Sequence, residues 1–294
     1  METTAGADLS FVHLGITIQN MVKSFSIGGF SIAFYGLIIG IGMVCGILVA
    51  QSDAKRRGQD PELYIDFALY GIVFAILGAR IYYVIFQWGY YKDHISEIIN
   101  LRKGGLAIYG GVIAGLLTLY VFARKHKMSF FSMGDSAILG LITGQIIGRW
   151  GNFFNCEAFG GYTDSFLAMR IKRSIVSESM ISQELIDNLI IENGIEYIQV
   201  HPTFLYESLW NLGVLLFMLW YRKRKRFDGE MIAVYFAGYG LGRAWIEGLR
   251  TDSLMIPGTG LAVSQVLSII MVVVSVSILL FPRKKKSVER EGIE

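Results

Sequence analysis

Stretches of about 20 apolar residues, the length a helix needs to cross the hydrocarbon of a bilayer, recur along this chain with short runs of Lys and Arg between them. Seven spans are expected, at residues 27–50, 63–88, 104–123, 131–151, 202–221, 229–248 and 260–281. Each reads as a helix, because inside a bilayer a segment has to satisfy its own backbone polar groups. Composition agrees: 53% of the 294 residues are hydrophobic and 17% charged, against roughly 25% charged in an ordinary soluble domain. The mean hydropathy is +0.48. The expected fold class is an all-α polytopic membrane protein, seven transmembrane helices with a small extracytoplasmic cap.

Charge is segregated. Lys55-Arg56-Arg57, Arg124-Lys125-His126-Lys127, Arg222-Lys223-Arg224-Lys225-Arg226 and Arg283-Lys284-Lys285-Lys286 all fall on one side of the alternating spans. By the positive-inside rule that side is the cytoplasm, which puts the N-terminus outside and the C-terminus inside. The runs read as solvated topology anchors, and the net charge of +3 reports topology, not nucleic-acid binding. Residues 1–26 are expected to form a retained amphipathic arm, since no basic start and apolar core precede a small-residue cleavage site. The membrane domain covers 27–281 and a basic cytoplasmic tail 282–294. Within the domain the longest connection, 152–201, is the external cap, and its core from Ser174 to Tyr197 reads as a short helical pair. A shorter external segment, 89–103, carries a helical pattern around Ile95-Ser96-Glu97-Ile98-Ile99. Cys45 and Cys156 give neither a disulfide framework nor metal-ligand spacing, so no metal or cofactor is expected. There is no internal repeat, which weighs against the transporter architectures built from duplicated halves.

The polar exceptions are the informative residues. Between Gly148 and Gly160 the chain reads Gly-Arg-Trp-Gly-Asn-Phe-Phe-Asn-Cys-Glu-Ala-Phe-Gly, placing Arg149, Asn152, Asn155 and Glu157 beside glycines that permit close backbone approach. The alternating topology assigns a depth to each polar residue. Tyr35, Arg80, Tyr109, Arg149, His201, Glu207, Arg243 and Glu247 then all fall in the outer half, as though six of the seven helices built one polar site. Tyr239, Arg243, Glu247 and Arg250 share one helical face by their spacing. The arginines and glutamates could pair with each other to hold helices together. Several arginines at one depth exceed that need, given roughly 2.5–3.5 kcal/mol for each central charge, and a guanidinium fork suits phosphate. Pro202 suits the first position of a helix, which sets His201 at its mouth. A transporter or channel would keep its site near the midplane, and a noncatalytic lipid-binding protein has no clear need for so many polar groups.

These residues carry a resemblance that covers nearly the whole chain. Phe-Tyr-Gly-Leu at 34–37, Gly-Ala-Arg at 78–80, the glycine-flanked Tyr109 segment at 104–111, the 148–160 signature, His-Pro-Thr-x-Leu-Tyr-Glu at 201–207 and Tyr-Gly-x-x-Arg-x-x-x-Glu at 239–247 together resemble the prolipoprotein diacylglyceryl transferase family of bacterial cytoplasmic membranes. The resemblance implies transfer of the diacylglyceryl group of phosphatidylglycerol to the lipobox cysteine in the signal peptide of a preprolipoprotein, on the extracytoplasmic side of the membrane. A thioether forms and glycerol 1-phosphate leaves. It further implies that Arg149 and Arg243 bind the phosphate, and that Asn152, Asn155, Glu157 and Gly160 shape the signature pocket. Tyr35, Arg80, Tyr206, Glu207, Tyr239 and Glu247 would contact substrate. Some family members have a histidine, proposed as general base, where this chain has Tyr109, and a phenol with an ordinary pKa of about 10 is a weaker acceptor at neutral pH. The proton then goes to His201, or the field of the arginines lowers the thiol pKa without a dedicated base. Phe204 replaces a glutamine frequent in that motif and is given no polar role.

Overall fold

The structure, a computed structural model, describes residues 6–101 and 104–281. The expected tail with Arg283 to Lys286, and residues 1–5, 102 and 103, lie outside the described residues. Helices occupy α1 Phe34–Arg56, α2 Glu62–Phe86, α3 Trp88–Tyr91, α4 Ile108–Lys125, α5 Phe130–Asn155, α6 Gln183–Asp187, α7 Thr203–Tyr221, α8 Glu230–Glu247 and α9 Val263–Leu280. Six of them, α1, α2, α4, α5, α7 and α9, are long and apolar enough to cross a membrane. They make this a polytopic membrane protein. α8, the expected span at 229–248, is set apart by the charges of Glu230, Arg243 and Glu247. It packs between α7 and α9, and Glu230, fully buried at its start, is held by Tyr221 and Arg226.

The chain divides into two compact units, Met1–Gly46 with Leu141–Glu294, and Ile47–Gly140. The first unit corrects the all-α expectation. Strands β1 Leu9–Phe11, β2 Ile16–Ile18, β5 Met169–Lys172, β6 Ile190–Glu192 and β7 Ile195–Val200 form an antiparallel sheet in the order β2-β1-β5-β7-β6. The core of the expected cap is therefore not a helical pair; its one α-helix, α6, has five residues. The local cause is Asn193-Gly194, both at positive φ (51° and 77°), the conformation a two-residue hairpin turn requires. Ile190, Ile195, Tyr197 and Ile198 supply β-favouring residues around it. The N-terminal arm is part of the same sheet, β1 pairing with β5 from Leu9 opposite Ile171 to Phe11 opposite Met169. The first span also starts later than expected. Ser24–Ile27 (β3) and Phe30–Ala33 (β4) make a hairpin turned by Gly28-Gly29, again both at positive φ, and α1 begins only at Phe34.

One face of the sheet buries Leu9, Phe11, Met169, Ile171, Ile198 and Val200 against Phe153 and Phe159 near the end of α5 and Phe204 at the start of α7. Each such side chain contributes roughly 1.5–3 kcal/mol. This core fixes the facing ends of α5 and α7. Cys156 is buried in it, and burial pushes its thiol up, which makes it a poor nucleophile.

In the second unit α2 crosses α4 at glycine. A Cβ on Gly78 would lie 2.7 Å from the Gly110 carbonyl oxygen and one on Gly110 would clash with that of Gly78, the close approach that small residues allow between membrane helices. The basic run at the end of α1 is more than a solvated anchor. Arg56 donates to Asp53 (2.9 Å), and Arg57 to the Ser132 carbonyl (2.6 Å), Ser132 Oγ (2.7 Å) and Ser136 Oγ (3.0 Å) of α5.

Candidate functional site

In the first unit, the last turns of α5, the first turns of α7 and the end of α8 bring four of the expected charges together. Glu207 is the hub. Its Oε2 lies 2.5 Å from Arg149 Nη2, and its Oε1 lies 3.1 Å from Arg243 Nη1 and 3.6 Å from Arg250 Nη1. Arg243 Nη2 also lies 2.5 Å from Glu247 Oε2, one helical turn along α8. Both glutamates are buried, so their charge is tolerable only because guanidinium groups face it. Ser253 Oγ donates to Glu247 Oε1 (2.9 Å).

The orientation of the donors decides what this network can do. A guanidinium carries five N–H donors. Arg149 makes its close charge contact with Glu207 without an in-line hydrogen bond, and among the described residues it donates none; Arg243 donates one, to Glu207. Their side chains keep 22% and 18% of their accessible surface. The glutamates thus hold two guanidinium groups in place while leaving most N–H groups uncommitted, the arrangement an incoming anion needs. Arg250 differs. It grips Asp252 with two bonds of 2.9 and 2.7 Å. Burial raises the Asp252 carboxyl, but this fork outweighs it and holds the group below the usual carboxylate range.

The rest of the signature builds the frame. Asn152 Nδ2 donates to Glu157 Oε1 (2.9 Å), and the Glu157 amide to the Asn152 carbonyl (3.1 Å), closing the chain on itself as α5 ends. Cys156 and Ala158 take positive φ (52° and 55°) to make that reversal, and Thr203 Oγ1 donates to the Ala158 carbonyl. Gly160, expected to shape a substrate pocket, is a backbone junction. Its amide donates to the His201 carbonyl (2.9 Å), the Gly161 amide to the Leu249 carbonyl (2.8 Å), and the His201 amide to the Gly161 carbonyl (3.1 Å). A Cβ at Gly160 would sit 2.7 Å from the Leu249 oxygen and 2.8 Å from His201 Cβ. Glycine is thus what draws His201 and Arg250 onto adjacent backbones. His201 Nδ1 lies 3.2 Å from Tyr206 Oη, and burial lowers the imidazole below its ordinary pKa, with Glu184 opposing. That shift favours the neutral ring at pH 7. Tyr35 packs under the signature, where a Cβ on Gly151 would lie 2.9 Å from its ring. Tyr239 stacks on Tyr235 at 5.3 Å; neither it nor Asn155 makes a side-chain hydrogen bond among the described residues.

The family model for prolipoprotein diacylglyceryl transferase matches residues 23–281. The phosphatidylglycerol–prolipoprotein diacylglyceryl transferase of Geobacillus kaustophilus is 41% identical over 270 residues, 92% of this chain and 95% of that one. Those of Clostridioides difficile and Bacillus cereus are each 40% identical, over 85% and 91% of this chain and 90% and 94% of theirs. This chain belongs to the prolipoprotein diacylglyceryl transferase family.

Two residues expected at the site belong to the other unit, 47–140. Tyr109 stands in the first turn of α4, 47% exposed. Arg80, expected to contact substrate, is 5% exposed and has no donor left for it. Nε donates to the Ile98 carbonyl (2.8 Å), Nη1 to those of Gly104 (2.7 Å) and Gly105 (2.9 Å), and Nη2 to those of Glu97 (2.7 Å) and Asn100 (3.3 Å). Sequence reasoning gave no role to Asp252 and Ser253 and put Arg250 on the helical face of span six. α8 ends at Glu247, and Arg250 reaches Glu207 from the following turn. An acid two residues after Arg250 was the available signal.

Proposed function

We infer that this chain transfers the diacylglyceryl group of phosphatidylglycerol to the lipobox cysteine thiol of preprolipoproteins, with release of glycerol 1-phosphate. The observation that carries the reading is the pair Arg149 and Arg243, fixed by Glu207 and Glu247 yet with N–H groups unspent. The phosphodiester of the lipid takes those donors. The cysteine sulfur then attacks the glyceryl carbon, the carbon–oxygen bond to phosphate breaks, and its electron pair leaves on the phosphate oxygen, where the guanidinium groups stabilise the growing charge. The thiol proton goes to neutral His201, or the positive field lowers the thiol pKa so that water takes the proton without a dedicated side-chain base. Tyr109 orients substrate through one hydrogen bond. An aromatic series, Tyr206, Trp245 and Trp210 with centroids 6.1 Å apart, leads to an apolar cleft of about 550 Å³ lined by Val214, Phe217 and Ala237, which suits an acyl chain.

The deciding experiment incubates purified protein with phosphatidylglycerol and a lipobox peptide and looks by mass spectrometry for the diacylglyceryl adduct. An unmodified peptide under conditions where the Bacillus cereus relative reacts would overturn the reading. The setting proposed is the bacterial cytoplasmic membrane, with α8 as a seventh span, the N-terminus and the site outside, and the C-terminus inside. With Cys45 and Cys156 removed, a cysteine in place of Ser179 should react with an impermeant thiol reagent in intact cells and one in place of Lys225 should not. Labelling at 225 without lysis reverses the orientation.

A further inference from the structure

We propose that Arg80 is a positioning residue for Tyr109: its guanidinium gathers the loop between α3 and α4 and so sets the first turn of α4. The proposal rests on the role given to Tyr109 above. All five donors of Arg80 end on backbone carbonyls spread from Glu97 to Gly105, a stretch whose described residues hold no α-helix or strand, only 3-10 turns at Ile95–Glu97 and at Leu101. The guanidinium also lies against the rings of Tyr91 (5.2 Å) and Tyr83 (6.0 Å). Gly104 and Gly105 turn their carbonyls inward through φ of +80° and +79°. A Cβ at Gly105 would lie 2.5 Å from Arg80 Nη1. Two residues on, the Ala107 amide donates to the Ala79 carbonyl (3.0 Å), next to Arg80 itself, and α4 begins at Ile108. Three ties in sequence, the Arg80 fork, the Ala107–Ala79 bond and the Gly78–Gly110 contact, therefore bracket Tyr109. Lysine cannot replace the first of them, having three donors on a point charge where five acceptors surround a planar group.

The test uses the full-length protein in phosphatidylglycerol vesicles, with Arg80→Lys and Gly105→Ala as two independent ways of loosening the same tie. Both should lower kcat by about tenfold, as for one lost aligned hydrogen bond, with KM for the lipid within about twofold, since the phosphate donors are elsewhere. Amide hydrogen exchange over residues 104–112 should quicken in both, with the rest of α2 unchanged. In a Tyr109→Phe background either substitution should cost less than half as much, because its effect passes through that hydroxyl. Losses that multiply in full, or a raised KM with kcat intact, would overturn the proposal. Should Arg80→Lys fail to insert, Gly105→Ala decides alone. The exchange measurement needs no substrate, so it separates failure of the clamp from failure of the proposed reaction.

Discussion

Arg80 and the pair Arg149 and Arg243 look alike in sequence, single arginines amid apolar residues near the ends of helices, and the structure puts them to opposite uses. Arg80 has every donor met by carbonyl oxygen. Arg149 and Arg243 are neutralised by carboxylates that contact them closely but take a single in-line hydrogen bond between them. Charge compensation and hydrogen-bond saturation are separate requirements. A buried cation has to be compensated to be tolerated at all, while unsaturated N–H groups are stable only where water or a ligand will complete them. The arginines of the first unit are paired with charge and left with open donors; among the described residues Arg80 is the reverse, its donors all spent on neutral carbonyls and no carboxylate beside it.

The strongest attempt to break this contrast removes an open arginine. Arg243→Ala is expected to lower transfer by about 10²–10³-fold, the range for deleting a donor to developing negative charge. Arg149→Ala should do likewise, with the protein still inserted. Lysine should rescue poorly at either position, because it offers a point charge without the fork. Adduct formation followed by mass spectrometry reads this directly, and near-normal turnover in Arg243→Ala would make the open donors incidental.

Glu207→Gln comes next, because it keeps every arginine and removes the charge that fixes three of them. Breaking a buried ion pair from one side costs about 3–5 kcal/mol, so thermal unfolding in detergent should shift down by several degrees. Turnover should fall as well, since in the proposed function unpinned guanidinium groups would no longer meet the phosphate in one geometry. An unchanged Tm would mean that water, not Glu207, compensates the arginines.

Sequence legibility follows the same line. The depth of each residue along alternating spans was enough to gather Arg149, Glu207, Arg243 and Glu247, since depth follows from helix direction alone, and the structure brings these four together. It was not enough for Arg80, because a donor count depends on where the carbonyls of a distant loop turn. Gly160, read as shaping the signature pocket, is a junction where three backbone segments cross, a detail that no spacing in the sequence shows. The cap was misread for a different reason. Its Glu, Ser and Ile content suggested helix, while Asn193-Gly194 is a strong hairpin signal that only needed to be weighed above composition. Gly28-Gly29 was passed over in the same way, inside what looked like a continuous apolar span.

Tyr109→Phe is expected to cost about tenfold, roughly 1.4 kcal/mol for one hydrogen bond, a smaller loss than at either arginine because in the proposed function the hydroxyl orients substrate and does not carry the leaving charge. A variant that is inactive at saturating lipid and peptide, yet recovers as pH rises, would instead make the phenol the proton acceptor.

The smallest expected effect concerns His201, which among the described residues has one side-chain hydrogen-bond partner, Tyr206, and so belongs with the open residues. Burial lowers its pKa, Glu184 only partly opposing, so the unfolded chain takes up a proton near the ordinary value of about 6.5 while the folded chain still resists. Wherever the unfolded state binds more protons, stability rises with pH. The contribution of the neutral ring is therefore fully present above about pH 6.5 and is lost as pH falls from there through the folded value. Tm should drop more between pH 7.5 and 5.5 in the wild type than in His201→Gln, which cannot titrate. If neutral His201 also accepts the thiol proton, the acid limb of the rate should lie below the ordinary imidazole range and vanish in the variant. A wild-type acid limb retained in His201→Gln would leave the thiol to the arginine field alone, and the open donors of Arg149 and Arg243 would then account for both the leaving phosphate and the attacking sulfur.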